Sequence, residues 1–325
     1  MRRFLTKLEI ERAKGFTRGS QAFAGAAGAG TVGSGAMATG TGAEAQTYAV
    51  LNRRHTREPL SPIRDTGRTK IGFTGLAAGA GATTLAFAAA EYLAALSARH
   101  SEQKRDVTFL ELDTRPYAPA GKPYDKIGID RRFAGREFIS HYRHAAEGRP
   151  LHNVLNIDGG IGWALRVPGE HGPEPSPATL IRLLNNVCGD IIVCDISAHG
   201  FLCGPEPAGG AFHTAALAGR EALRSLLADL DLIVCIFDPL PSRLFAAVPT
   251  AEICRVATAA NVPTVYVFNK LNAGVNLREA TRFTGVKDYI PFPAIPAEAV
   301  YAAEYACRSL ASEPGMRDAL SALFG

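Results

Sequence analysis

The stretch that most constrains this chain is Gly75-Leu-Ala-Ala-Gly-Ala-Gly-Ala-Thr-Thr84. Just before it, Lys70-Ile-Gly-Phe-Thr74 predicts a short buried strand. Just after it, residues 85–96, rich in Ala with Leu at helical spacing, predict a helix. Strand, Gly-rich turn and helix form the setting in which backbone N–H groups and a helix N-terminus cradle phosphate. The glycines let the backbone come close to an anion. On this reading Gly79, Ala80, Gly81, Ala82, Thr83 and Thr84 hold the cofactor, and Thr83 stands where a phosphate-loop hydroxyl holds Mg²⁺. The G-x-x-x-x-G-K-[ST] pattern is incomplete, however. Aligned on Gly81 and Thr83, the lysine position is Ala82 and the first glycine position is Leu76. A strand-to-helix turn with no ligand is the alternative that this stretch leaves open on its own.

The rest of the chain supplies a rhythm. Strands are predicted at residues 107–113, 153–158, 162–167, 190–195, 230–237 and 262–268, and the last predicted helix but one leads to Asp288-Tyr-Ile-Pro-Phe292. Helices are predicted at 133–146, 177–187, 215–228, 244–259 and 277–283, and through most of 298–324. Most strands are apolar on both faces. With helices alternating between them, this predicts an α/β fold: a doubly wound, mainly parallel sheet with helices on both faces. Such sheets bind ligands at the carboxyl ends of their strands. There the chain places the Gly-rich turn, Asp113, Asp195 and Asn269.

Each of these residue types fits a role in nucleotide chemistry. Asp195, after Ile-Ile-Val-Cys, is placed to hold the metal, Mg²⁺, through water. Asp113 is the catalytic candidate, a carboxylate that positions an attacking water. Asn269 is placed to read an adenine edge, and Lys270-Leu-Asn272 lacks the aspartate that would read guanine. A dinucleotide fingerprint fits poorly, because Gly79-Ala-Gly81-Ala-Thr-Thr84 ends in Thr and the first acidic strand end comes about thirty residues on rather than about twenty. No G-x-S-x-G elbow occurs. His141 and His144 are expected on a helix surface rather than at a metal.

Ahead of the domain, three features stand out. Residues 1–18 predict a basic amphipathic segment with Phe4, Leu5 and Leu8 on one face. Residues 19–67 predict a flexible linker, Gly/Ala-rich and then basic, so that a disordered tail precedes an α/β domain at 68–325. Residues 1–70 carry a net charge of +7 within a chain of +4, so the basic character belongs to this segment. It suits a protein partner, an anionic membrane surface or non-specific contact with DNA. The six cysteines show no C-x-x-C pair, and Cys194 and Cys235 sit in apolar strands. This fits a reduced, cytoplasmic setting, peripheral at the inner face of the membrane if the tail seeks lipid. No apolar run reaches membrane-spanning length. The C-terminal residues Met316, Leu320, Leu323 and Phe324 are expected to dock on the core.

Four segments together carry a family resemblance. Ala77-Ala-Gly-Ala-Gly-Ala-Thr-Thr84 resembles the deviant phosphate loop of the ParA/MinD family, K-G-G-x-G-K-T-T, with both lysines replaced by alanine. Glu111-Leu-Asp113 is similar to the family's D-x-D. The run from Asp190 to Gly200 resembles its metal-holding strand, and Val265-Tyr-Val-Phe-Asn269-Lys270 resembles the strand that ends in the adenine-reading Asn. The resemblance spans roughly residues 68–310. It implies a P-loop NTPase-like fold, ATP and Mg²⁺ as cofactors and a nucleotide-dependent homodimer. Loss of both lysines looks like the TadZ/CpaE branch, which serves Flp-type pilus assembly, although the receiver-like domain usual in that branch has no room here. The expectation is a degenerate Walker A site in an ATP-binding or pseudo-ATPase scaffold with a partner in a pilus or secretion assembly. The alternative is a slow Mg-dependent ATPase with a monomer–dimer cycle, acting in partitioning or on DNA. Lys122 and Lys126 are the lysines that sequence offers as substitutes.

Overall fold

The computed structural model describes residues 68–99, 105–113, 132–133, 135–152, 156–167, 175–198, 201, 212–258 and 262–324. The basic segment, the linker, Lys122 and Lys126 lie outside the described residues.

The strands are β1 (Thr69–Gly75), β2 (Val107–Leu112), β3 (Ile157–Asp158), β4 (Ile161–Ala164), β5 (Ile191–Ile196), β6 (Leu232–Phe237), β7 (Thr264–Leu271) and β8 (Ile290–Pro293). They form one eight-stranded sheet in the order β3-β4-β2-β5-β1-β6-β7-β8. Every pairing is parallel except β3 with β4. After β1 the chain builds one side of the sheet and then returns to build the other. The turn after β1 therefore opens at the switch point, where crevices form in such sheets.

The helices are α1 (Ala82–Arg99), α2 (His141–Ala146), α3 (Pro177–Asn186), α4 (Phe212–Ala228), α5 (Pro241–Thr258), α6 (Leu277–Thr284), α7 (Ala297–Tyr305) and α8 (Pro314–Phe324). α1 packs on one face of the sheet together with α7 and α8; α2 to α6 cover the other. α1 buries Leu85 and four alanines, Ala86 and Ala88 to Ala90, so its backbone lies close to the strands. At roughly 25 cal/mol per Å² of apolar area removed from water, such double coverage is the main source of stability. The C-terminal helix docks as its pattern implies: Met316, Leu320 and Leu323 are buried, and Phe324 stacks on Tyr92 with ring centroids 6.3 Å apart.

Two expectations need correction. The helix predicted from Phe133 begins only at His141, because the Ser140 side chain accepts the Arg143 N–H at 3.1 Å and caps it there. Gly135 (φ +73°) already turns the chain away from helix. His141 is not on the surface either. It is buried, with Nδ1 3.5 Å from the Asn156 amide nitrogen.

Candidate nucleotide site

The Gly-rich turn leaves β1 at Gly75 and is pinned at its start by the Leu76 N–H, which donates to the Ile236 carbonyl at 3.0 Å. The Ala80 N–H closes a tight bend on the Ala77 carbonyl at 3.2 Å. Gly79 (φ +75°) and Gly81 (φ +96°) take conformations that L side chains rarely adopt. Gly81 is constrained twice, since a Cβ there would lie 2.4 Å from the Asn269 Nδ2. α1 then begins at Ala82, and the N–H groups of its first turn, including those of Thr83 and Thr84, have no intrahelical acceptor. Donors and helix dipole together make this end attractive to an anion.

Asn269 and Lys270 come to the turn from β7. Asn269 is 6% exposed, and its amide donates to the Ala80 carbonyl at 2.8 Å. The residue expected to read a base is thus bonded to the phosphate-loop backbone. Lys270 follows in a left-handed conformation, φ 59°. Its ammonium donates to the Gly79 carbonyl and pairs with Asp238 Oδ2 at 2.9 Å. Asp238 follows β6 directly, and its Oδ1 accepts the Leu240 N–H at 3.1 Å, a local turn that fixes the carboxylate. Arg243 borders the turn as well, its guanidinium 3.9 Å from where a Gly79 Cβ would sit.

The other side of the turn is acidic. Asp195 lies in β5 opposite Phe73 of β1 and Glu111 of β2. Strand alternation puts Asp195 and Glu111 on the α1 face. Burial pushes the Glu111 carboxyl up to about 7, and the charges of Asp195 and Asp113 add to the shift. The Arg166 N–H, donating to Oε2 at 2.9 Å, opposes it. The Tyr142 hydroxyl donates to the Glu111 carbonyl and accepts the Asp113 N–H at 3.4 Å, which ties the end of β2 to α2. Asp113 is itself buried.

The fold therefore gathers the Gly turn, Asp113, Asp195 and Asn269 at one sheet edge. Thr83 and Thr84 open α1 and line a cavity of about 20 Å³ against Val300, Ala303 and Arg308, room for roughly one water. Among the described residues no group of three or more His, Cys, Asp or Glu side chains is arranged to hold a metal ion. The donor set still fits Mg²⁺, which takes one or two protein oxygens and keeps its waters. Thr83 and Asp195 would supply those oxygens, and a cation there would favour the ionised form of Glu111, which burial opposes. Donor-rich backbone at Gly79 to Thr84 likewise fits phosphate. Asp238, Arg243 and the role of Lys270 were missed in the sequence. The signal for Asp238 and Lys270 is position at the end of an apolar strand, which Asn269 shares; Arg243, in the first turn of α5, has no such signal.

No protein-family model and no curated protein matches this chain. Solved structures match it in fold. A plasmid partition protein from Borrelia burgdorferi bound to AMPPNP superposes with a TM-score of 0.50 at 13% identity, over 79% of this chain and 97% of that one. The MinD cell division protein of Aquifex aeolicus gives 0.49 at 14% identity, over 78% and 95%. A ParA family ATPase from Chlorobium tepidum gives 0.48 at 13%, over 80% and 98%. The architecture is the ParA/MinD-like fold.

Proposed function

We propose that this chain is a nucleotide-binding positioning protein that holds ATP and Mg²⁺ at the turn between β1 and α1. The observation that carries this reading is the turn itself: two left-handed glycines, an open helix N-terminus and a carboxylate-rich strand end beside it. Binding of AMPPNP by the Borrelia protein supports it. In this reading Gly79 to Thr84 hold the phosphates by backbone N–H groups. Thr83 and Asp195 hold the metal, which when bound supplies positive charge to the phosphate oxygens. Asp113, tied through its N–H to the Tyr142 hydroxyl, is the carboxylate that would position a water in the hydrolytic reading below.

Ala77 and Ala82 leave the loop without its lysines, and removing such charge lowers phosphoryl-transfer rates by orders of magnitude. The function is therefore a pseudo-ATPase scaffold of the TadZ/CpaE type. It works as a cytoplasmic homodimer in a pilus or secretion assembly, with residues 1–67 as a basic tether to its partner or to the inner membrane face. No described helix is long and apolar enough to cross a membrane. Calorimetric titration of the full chain with ATP-Mg²⁺ and ADP tests the reading. Saturable heat that disappears in Thr83→Ala and Asp195→Ala supports it, and no heat at millimolar nucleotide with a folded protein refutes it. The second reading, a slow ATPase with a monomer–dimer cycle acting in partitioning or on DNA, rests on retained Asp113 and Asp195. It requires phosphate release above that of the same two variants. Retention on DNA that falls steeply with salt, and is lost on deleting residues 1–67, would extend it to nucleic acid.

A further inference from the structure

We propose that Lys270 is the phosphate cation of this site, supplying from β7 the charge that Ala77 and Ala82 withhold from the loop. The inference rests on the nucleotide reading above and adds to it a residue that no loop motif contains.

The backbone is built to deliver this side chain. Phe268 pairs with Pro291 and Leu271 with Pro293, so β7 spends three steps where β8 spends two. The extra residue is a β-bulge, a device that re-aims a side chain. Lys270 takes the cost in its own backbone: φ is 59° in a residue that is not glycine. Strand alternation alone would send its side chain to the sheet face opposite Asn269. The bulge instead brings both residues to the Gly turn.

The ammonium is also held ready for an anion. It has three N–H donors. One meets Asp238, whose side chain is 3% exposed, and one meets the Gly79 carbonyl. The Lys270 side chain remains 47% exposed. A phosphate oxygen is a stronger acceptor than a peptide carbonyl, so an anion arriving on the loop N–H groups draws the ammonium from Gly79 while Asp238 keeps it anchored. Arg243, at the same bend, adds charge of the same sign. Lys70, in contrast, is held at the opposite sheet edge by Asn185 (2.7 Å) and Asp229 (3.2 Å).

The competing role is a latch that only shapes the turn. Calorimetry on the full chain separates the two, with ATP-Mg²⁺ and inorganic tripolyphosphate as probes. Lys270→Gly keeps the left-handed backbone without strain, and Lys270→Arg keeps the charge. The expected result is a loss of at least tenfold in affinity for both probes in Lys270→Gly, with most of it recovered in Lys270→Arg. A Lys270→Gly affinity within twofold of the parent overturns the proposal and leaves the nucleotide site standing. A parent that gives no heat with either probe overturns the nucleotide reading, and the lysine assignment with it. A second measurement needs no variant: acetylation of the parent, followed peptide by peptide with and without ATP-Mg²⁺. Bound ATP is expected to slow modification of Lys270 at least tenfold and to leave Lys70 unchanged. Equal rates at Lys270 in nucleotide-saturated protein overturn it.

Discussion

The two flanks of the Gly turn are built on opposite principles. On the β2–β5 flank, Glu111 and Asp195 are cross-strand neighbours, and burial, with the charges of Asp195 and Asp113 added to it, holds the Glu111 proton to about 7. On the β6–β7 flank, opposite charges are paired. Lys270 rests on Asp238 at 2.9 Å, and the polar groups of Asn269 and Lys270 grip the loop backbone. A cation on the acidic flank would favour the ionised form of Glu111, which burial opposes. The paired flank is already preorganised. The difference teaches that one site can divide two demands of a phosphate ligand, metal on one side and side-chain charge on the other, with the loop supplying only backbone N–H groups.

The largest effect is expected for Gly81→Ala, which combines a left-handed backbone with a Cβ 2.4 Å from Asn269 Nδ2. A loss of about 3 kcal/mol in urea unfolding is expected. Adding Asn269→Ala should recover part of that loss, the steric share, and leave the strain. Full recovery would mean that the left-handed φ costs nothing.

Glu111→Gln comes next, and it works in the other direction. The folded pKa is raised from 4.5 to about 7. The protonated carboxyl therefore stabilises the fold fully below about 4.5, and that contribution is lost as pH rises through about 7. At pH 8 the variant should be more stable than the parent by about 2 kcal/mol, with a flatter stability profile between pH 4.5 and 7. Unfolding curves across that window check it, and a parent profile that is flat there would contradict the raised pKa of the buried Glu111. Saturating Mg²⁺ should shift the same profile, because a bound cation favours the ionised carboxylates.

Asp238→Asn probes the paired flank. It keeps an acceptor for the Leu240 N–H and removes the charge beneath Lys270. A cost of about 1 kcal/mol is expected, as the lysine partner is half exposed. The smallest stability change belongs to Lys270→Gly, within about 0.5 kcal/mol, because relief of the left-handed strain offsets the lost pair. A melting temperature unchanged beside a collapsed nucleotide affinity would sharpen the contrast between stability and function at this flank.

Much of the fold was legible because it is written in local patterns. Ser176 before Pro177 marks the start of α3, and its side chain accepts the Thr179 N–H at 3.1 Å. Apolar runs such as Ile191 to Cys194 announce strands covered on both faces. Where local signals competed, reading failed. Residues 133–140 carry helix-compatible side chains, but Gly135 and Ser140 set the boundary. His141 is polar by composition and buried by packing against Asn156.

What the sequence by itself determined is the alternation of strand and helix, the Gly turn at the head of α1 and the absence of lysine from that turn. These depend on residues within one or two turns of each other. Tertiary structure alone decided that Glu111 faces Asp195, through a β2–β5 register formed by strands about 80 residues apart. It also decided that Lys270 lies on Gly79, 191 residues away, through one bulged residue in β7. A bulge changes the direction of a side chain without changing the composition or period of its strand. No pattern of residues records it, and only the paired strand beside it shows the extra step.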